Sequence, residues 1–235
     1  MPNDLFNKIK IIQEDPFILV LDKPSGLIVN RSQTAKTETL QDWLDDYLGI
    51  PNGGISDEVY LQRSGMVHRL DRDTSGVLVV AKDVETLQDL MAQFKERQVS
   101  KKYLALVHGE LKDQKIDIQA PIARNPRNRL KNAVVADGKF ARTVVERISV
   151  KDGFSLVFAK PQTGRTHQIR VHLSATNHPI VGDPLYSPKA LYKKTFPKFG
   201  RLMLHAQALE FKHPKYGEKV HFEAKVPSEF ALFLS

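Results

Sequence analysis

Residues 68–76 read HRLDRDTSG, and the aliphatic run VLVVA follows at once over 77–81. The first segment brings two arginines, two carboxylates and a histidine into a turn that ends at Gly76. A short aliphatic run that begins after a turn is typical of a buried strand. We therefore predict that this charged turn lies at the edge of a rigid sheet, where side chains can be held in a fixed arrangement.

The rest of the chain predicts an α+β fold. Apolar residues at helical spacing predict helices over 38–48, 84–97 (with Asp83 as its cap) and 166–175, and a last one after Ser228. Strands are predicted within 9–29 and over 103–107, 143–150, 154–160, 202–211 and 219–226. Residues 50–67 and 189–201 are predicted as surface loops. Because strands outnumber helices and short turns join them, we expect a mixed, mostly antiparallel β-sheet flanked by helices and loops.

Composition limits the classes of protein to which the chain can belong. Its 235 residues contain no cysteine, which excludes disulfides and thiolate chemistry, and its formal net charge of +8 favours a polyanionic partner. No apolar stretch approaches the roughly 20 residues of a membrane span, and the N-terminus lacks a signal-peptide pattern. We expect a cytoplasmic protein with one catalytic domain over residues 1–235. A monomer is expected because no apolar stripe is left over for a partner.

Other interpretations of the charged turn fail on spacing. A calcium-binding loop beginning at Asp71 would need glutamate at its twelfth position, where Lys82 stands. The chain has no G-x-S-x-G elbow, P-loop, G-x-G-x-x-G or H-E-x-x-H motif. The remaining alternative to a functional site is a hydrogen-bonded structural turn whose arginines neutralise its carboxylates.

Two further segments carry candidate site residues. Residues 160–172 read KPQTGRTHQIRVH and combine a strand end, a glycine turn and the basic start of a helix. They form either a basic cap on a surface helix or a site in which Arg165 pairs with the carboxylate of Asp71. Residues 101–105 read KKYLA, where Tyr103 either packs in a strand or presents its ring to a ligand.

Taken together, these segments resemble the RluA-type pseudouridine synthases. The resemblance covers roughly residues 11–230 and rests on motifs in the family's order: KPSGL at 23–27, HRLDRDTSG at 68–76, KKYLA at 101–105, KPQTGRTHQIR at 160–170, HPIVGDPLY at 178–186 and RLMLHA at 201–206. It implies the pseudouridine synthase fold and the isomerisation of uridine in ribosomal or transfer RNA, without a cofactor or a metal. Many family members carry an added N-terminal RNA-binding domain, and this chain is expected to lack one.

The resemblance also implies roles for individual residues. Asp71 corresponds to the catalytic aspartate, Arg165 to the arginine that pairs with it, and Tyr103 to the tyrosine that packs on the target base. Substrate contacts are expected from these motifs and from a basic stretch, at His68, Arg69, Arg124, Arg127, Arg129, Lys131, Ile169 and Arg170.

Two rival functions differ from this prediction in testable ways. A non-catalytic RNA-binding or ribosome-associated protein would use the same basic surface, but it has no use for a carboxylate beside bound phosphates. A phosphodiester hydrolase would need a metal or a histidine pair, and a chelator would inhibit a metal-dependent one.

Overall fold

The computed structural model describes residues 4–32, 37–50, 54 and 56–234. The strands are β1 (Lys10–Glu14), β2 (Ile18–Lys23), β3 (Ser75–Ala81), β4 (Ser100–His108), β5 (Lys115–Gln119), β6 (Ile122–Arg124), β7 (Asn132–Val134), β8 (Arg142–Lys151), β9 (Phe154–Pro161), β10 (Leu204–Lys212) and β11 (Lys219–Glu223). The helices are α1 (Leu40–Leu48), α2 (Glu58–Arg63), α3 (Val84–Lys95), α4 (Gln168–Ala175) and α5 (Lys189–Phe199). Short 3-10 segments cover Phe6–Lys8 and Ser228–Phe233.

The chain divides into two compact units. The first comprises Met1–Ser100 with Ala206–Lys225, and the second comprises Lys101–His205 with Val226–Ser235. Strands in the first unit follow the order β1-β2-β3-β10, and β11 pairs with β10. In the second unit the order is β4-β9-β8-β5, and β6 pairs with β7 in a separate small hairpin.

The first unit holds the charged turn against a fully buried strand. All seven residues of β3 are buried, as the aliphatic run predicts. β3 pairs antiparallel with β2, from Ile18 opposite Ala81 to Lys23 opposite Gly76. This register brings the end of β2 beside the beginning of β3, where the charged turn leads into the sheet.

The second unit is built around a long hairpin. β8 and β9 are antiparallel, and Lys151 lies opposite Phe154. The two residues between them, Asp152 and Gly153, have φ angles of 54° and 75°. Positive φ at both positions is the requirement of a type I′ turn, for which Asp-Gly is a preferred sequence. The predicted hairpin is therefore confirmed.

The predicted fold class is confirmed: strand pairs such as β1–β2, β4–β9, β5–β8 and β10–β11 are antiparallel, and helices accompany them. Three local predictions were wrong. The 50–67 loop contains α2, capped by Asp57, and the 189–201 loop is mostly α5. Ser228 opens a 3-10 segment rather than capping a helix. Within the described ranges, no helix is long and apolar enough to span a membrane.

Candidate active site

Hydrogen bonds from the KPSG segment hold the turn that carries Asp71. The hydroxyl of Ser25 donates to the carbonyl oxygen of Asp73 at 2.7 Å, and the backbone N–H of Gly26 donates to that of Arg72 at 2.9 Å. Within the turn, the N–H of Thr74 donates to the carbonyl oxygen of Asp71 at 3.1 Å. Asp71 is half-buried. The backbone of Asp71 and of the two residues after it is thus restrained by hydrogen bonds, which limits where the carboxylate can point.

Lys23 is the interior support of this turn. Its side chain is completely buried, and its Nζ donates to the carbonyl oxygens of Pro24, Leu27 and Arg72, each at 2.9 Å. An ammonium group has three protons to donate, and each of these carbonyls can accept one of them. The lysine joins two segments separated by 49 positions in sequence, and one of its acceptors is the residue next to Asp71.

Gly76 ends the turn because no other residue fits there. Its φ is +114°, and a Cβ atom at this position would lie 2.2 Å from the carbonyl oxygen of Ala206. Both the backbone conformation and the close approach of β10 therefore require glycine. Packing and backbone conformation thus explain the glycine of the TSG step.

His68, at the start of the charged turn, contacts strand β3 and helix α3. Its Nε2 accepts the backbone N–H of Val79 at 3.1 Å, and its ring stacks on Phe94 with the centroids 4.7 Å apart. These contacts give it a structural role in the first unit, and its predicted contact with RNA stays a prediction. Arg69 is exposed, as a contact with the RNA backbone requires.

Gln168 organises the turn that carries Arg165 in the second unit. Its side-chain oxygen accepts the backbone N–H of Arg165 at 3.0 Å and the hydroxyl of Thr163 at 2.6 Å. Its amide donates to the carbonyl oxygen of Arg142 and to the hydroxyl of Thr143, both at 2.9 Å. Gln168 is only 4% exposed, so the TGRTHQ segment folds around a buried amide.

Arg165 and Tyr103 both belong to the second unit, whereas Asp71 belongs to the first. The Nε of Arg165 donates to the carbonyl oxygen of Phe140 at 3.1 Å. Tyr103 lies on β4 opposite Ala159 of β9 and is half-buried. The predicted pairing of Arg165 with Asp71, and of Tyr103 with a base, therefore stays a prediction.

Ile169 and Arg170 lie in the interior. Ile169 is 6% exposed in the core of the second unit, and Arg170 is 4% exposed. The guanidinium of Arg170 binds the carboxylate of Asp183 through Nε at 2.7 Å and through a terminal nitrogen at 2.9 Å. A buried bidentate pair of this kind is strongly oriented. Their burial favours a structural role for both residues over the predicted contact with RNA.

The remaining predicted RNA contacts belong to the β6–β7 hairpin. Arg124, Arg127 and Arg129 are exposed, and Lys131 is half-buried with its Nζ 6.0 Å from the ring centroid of Tyr186. Arg124 ends β6 and the other three cations lie in the loop after it, and the contact of all four with RNA stays a prediction.

Several residues that shape the site were not singled out as candidates from the sequence. Lys23, Gln168 and Asp183 are all buried polar groups that hold loops of the candidate site through hydrogen bonds. All three residues lie within the family's motifs, and the presence of a polar residue beside buried apolar ones is the signal that could have identified them. Among the residues that the structure describes, no group of three or more His, Asp or Glu side chains could hold a metal ion.

The chain is similar to known proteins along its whole length. A family model described as RNA pseudouridylate synthase matches residues 17–175. The ribosomal large subunit pseudouridine synthase D of Nitrosomonas europaea is 38% identical over 229 residues, which is 96% of this chain and 64% of that protein. An uncharacterized RNA pseudouridine synthase of Bacillus subtilis, YlyB, is 40% identical over 94% of this chain and 70% of its own length.

Solved structures of the same family are also similar to this chain. Human RNA pseudouridylate synthase domain containing 1 superposes with a TM-score of 0.76 at 30% identity, covering 99% of this chain and 89% of that one. Human RNA pseudouridylate synthase domain containing 4 superposes with a TM-score of 0.74 at 28% identity, covering 97% of this chain and 91% of that one.

These observations define an α+β protein whose candidate site is a carboxylate on a restrained turn at the start of a buried strand. The chain belongs to the RNA pseudouridylate synthase family. The predicted family and fold are confirmed, and so is the predicted class of enzyme, an isomerase that acts on RNA. The chain spans just under two thirds of its Nitrosomonas europaea relative.

Proposed function

We propose that this protein converts uridine to pseudouridine within structured RNA, with the carboxylate of Asp71 acting on the sugar. In this reaction the N1–C1′ bond breaks, the base turns, and a C5–C1′ bond forms. C5 loses its proton and N1 gains one, so nothing else is consumed. Whether Asp71 attacks the sugar or removes one of its protons, the step needs a single ionised carboxylate in a fixed position.

The observation that carries this proposal is the support of the Asp71 turn. A fully buried lysine and the Ser25 hydroxyl bind the carbonyls of the two residues that follow Asp71. Such restraint favours catalysis because the reacting group does not have to be ordered when the substrate arrives. A protein that only binds RNA gains nothing from fixing a negative charge near phosphates.

The second unit is proposed to supply the rest of the site. Arg165, on the turn organised by Gln168, would keep Asp71 ionised and oriented. Tyr103 would pack on the base, and its hydroxyl could relay a proton. The target uridine must leave its stack at a cost of a few kcal/mol, which cations of the β6–β7 hairpin would offset by binding neighbouring phosphates.

The proposed enzyme is as simple as the sequence predicts. Residues 1–235 act as one catalytic domain, as a monomer in the cytoplasm, and need neither a cofactor nor a metal. The name of the Nitrosomonas europaea relative refers to the large ribosomal subunit, which makes ribosomal RNA the first substrate to test and transfer RNA the second.

The experiment is tritium release from RNA labelled at C5 of uridine, with transcribed ribosomal and transfer RNA assayed separately. Release follows directly from the loss of the C5 proton, and we expect it from at least one RNA and unchanged by a chelator. Absence of release from both RNAs and from assembled ribosomal particles, with salt-sensitive binding retained, would instead establish an RNA-binding protein. Inhibition by the chelator would contradict the metal-free mechanism.

A further inference from the structure

The loop at the end of the β6–β7 hairpin, residues 125–131, exposes a large apolar side chain among cations. Leu130 is 80% exposed, compared with 50% for Phe140 in the same region. Arg127 and Arg129 are exposed in the same loop. A single exposed leucine is ordinary, but one at the tip of a basic loop combines the two chemistries that nucleic-acid wedges use.

This loop is ordered by its own hydrogen bonds. The backbone N–H of Asn125 donates to the carbonyl oxygen of Lys131 at 2.9 Å and closes the loop. The side-chain oxygen of Asn125 accepts the N–H groups of Arg127 and Asn128, and that of Asn128 accepts the N–H of Leu130 at 3.1 Å. The leucine is therefore presented outward by a preformed turn, which lowers the entropy lost on binding.

The base of the loop is fastened to the turn that carries Arg165. The backbone N–H of Asn132 donates to the hydroxyl of Tyr186, and its side-chain amide donates to the carbonyl oxygen of Thr166, both at 2.9 Å. The Tyr186 hydroxyl also lies 2.9 Å from Nδ1 of His167. Because Thr166 follows Arg165 directly, the loop holds a defined position relative to this part of the candidate site.

We propose that Leu130 inserts against an unstacked base of the RNA near the target uridine, while Arg127 and Arg129 bind the adjacent phosphates. An RNA partner fits because its charged backbone matches the arginines and its bases offer an apolar contact for the leucine. An apolar protein surface would instead have to desolvate both guanidinium groups. This inference rests on the proposed function, to which it adds the part of the protein that contacts bases outside the reacting nucleotide.

The test compares the salt dependence of RNA binding for two variants, using the transcribed ribosomal RNA that is assayed for tritium release. We expect Leu130→Ala to weaken binding about tenfold, toward the lower end of the range for one stacking contact, without changing the slope of log Kd against log salt. Arg129→Gln should reduce that slope by about 0.7–0.9 because one phosphate contact is lost.

Two controls separate a base contact from a general effect. Leu232→Ala removes another exposed leucine, 60% exposed in the 3-10 segment near the C-terminus, and should leave Kd unchanged. Leu130→Met keeps the apolar volume and should bind within about twofold of the wild type. Wild-type affinity in Leu130→Ala, or a changed salt slope in that variant, would overturn the proposal.

A lipid surface is the other partner that basic and apolar groups together can bind. Vesicles containing phosphatidylserine should therefore bind the wild type and Leu130→Ala equally weakly. Loss of vesicle binding in Leu130→Ala with RNA affinity intact would replace RNA by a membrane as the partner of this loop. Failure of the proposed function itself appears separately, as absent tritium release in the wild-type protein, and leaves the binding comparison readable on the same RNA.

Discussion

Replacing Lys23 by methionine should loosen the turn that carries Asp71. Methionine has a similar length but no proton to donate, so the three carbonyl groups that Lys23 binds at 2.9 Å lose that donor. The Arg72 carbonyl keeps the N–H of Gly26, whereas the buried carbonyl of Leu27 loses its bond to the ammonium. A buried carbonyl left without a donor costs about 1–3 kcal/mol, and removing a buried charge returns part of that cost.

We therefore expect Lys23→Met to lower the free energy of unfolding by about 1–3 kcal/mol and the melting temperature by about 2–12 °C. The turnover number should fall about 100-fold, because a displacement of about 1 Å at the reacting group has that effect. KM for RNA should change little, since Lys23 is completely buried and cannot contact the substrate.

The matched control is Lys82→Met in the same unit. Like Lys23, Lys82 donates hydrogen bonds from its ammonium group. Its two acceptors are the Glu14 carboxylate and the carbonyl oxygen of Asp15, each at 2.8 Å, but its side chain is 24% exposed. Partly exposed pairs contribute about 0–1 kcal/mol. Urea unfolding and steady-state kinetics measure both variants. Equal stability losses, or an unchanged turnover number in Lys23→Met, would refute the assignment of Lys23 as the support of the turn that carries Asp71.

Two further predictions concern packing and pH. Gly76→Ala should destabilise the protein by about 3 kcal/mol or more, because the new Cβ would lie 2.2 Å from Ala206 and φ is +114°. Gly153→Ala, whose Cβ meets nothing within 4 Å, should cost only about 1–2 kcal/mol in the same urea titration, and similar losses would contradict this account. Burial lowers the pKa of His172 below its ordinary 6.5, although its bond to the Ala120 carbonyl acts in the opposite direction. The unfolded chain then binds the proton more readily, so the contribution of His172 to stability is complete above about pH 6.5 and falls by up to about 1.4 kcal/mol per pH unit below it. Urea midpoints from about pH 7.5 to 5.5 should show a shallower fall in His172→Gln, and an identical slope would rule this histidine out.

Much of the fold around the site could be predicted because local sequence determined it. The run after Gly76 is a buried strand, Asp152-Gly153 forms the tight hairpin turn, and Asp83 caps α3, since each outcome depends on a few neighbouring residues. α2 was missed because only six helical residues follow a stretch rich in glycine and polar residues. α5 was missed because four lysines and Pro197 give it a loop-like composition.

The candidate site was predicted less completely, because its supports act across long sequence distances. Nothing next to Arg170 in the chain shows that Asp183, 13 positions later, will bind it in the interior. Likewise, the acceptor that links Lys23 to the turn carrying Asp71 lies 49 positions away. Motifs singled out most candidate residues, whereas the folded chain shows which polar residues are buried and hold loops, such as Lys23, Gln168 and Arg170.

The most direct test of the central claim is single-turnover tritium release by Asp71→Asn beside Asp73→Asn. Both changes remove one carboxylate from the same turn, and Asp73 lies just two positions further along. We predict that Asp71→Asn loses at least about 10³-fold in rate while its RNA affinity stays within about twofold, and that Asp73→Asn keeps a rate within about tenfold of the wild type. Residual catalysis in Asp71→Asn above about one part in 10³, or equal losses in the two variants, would contradict the account.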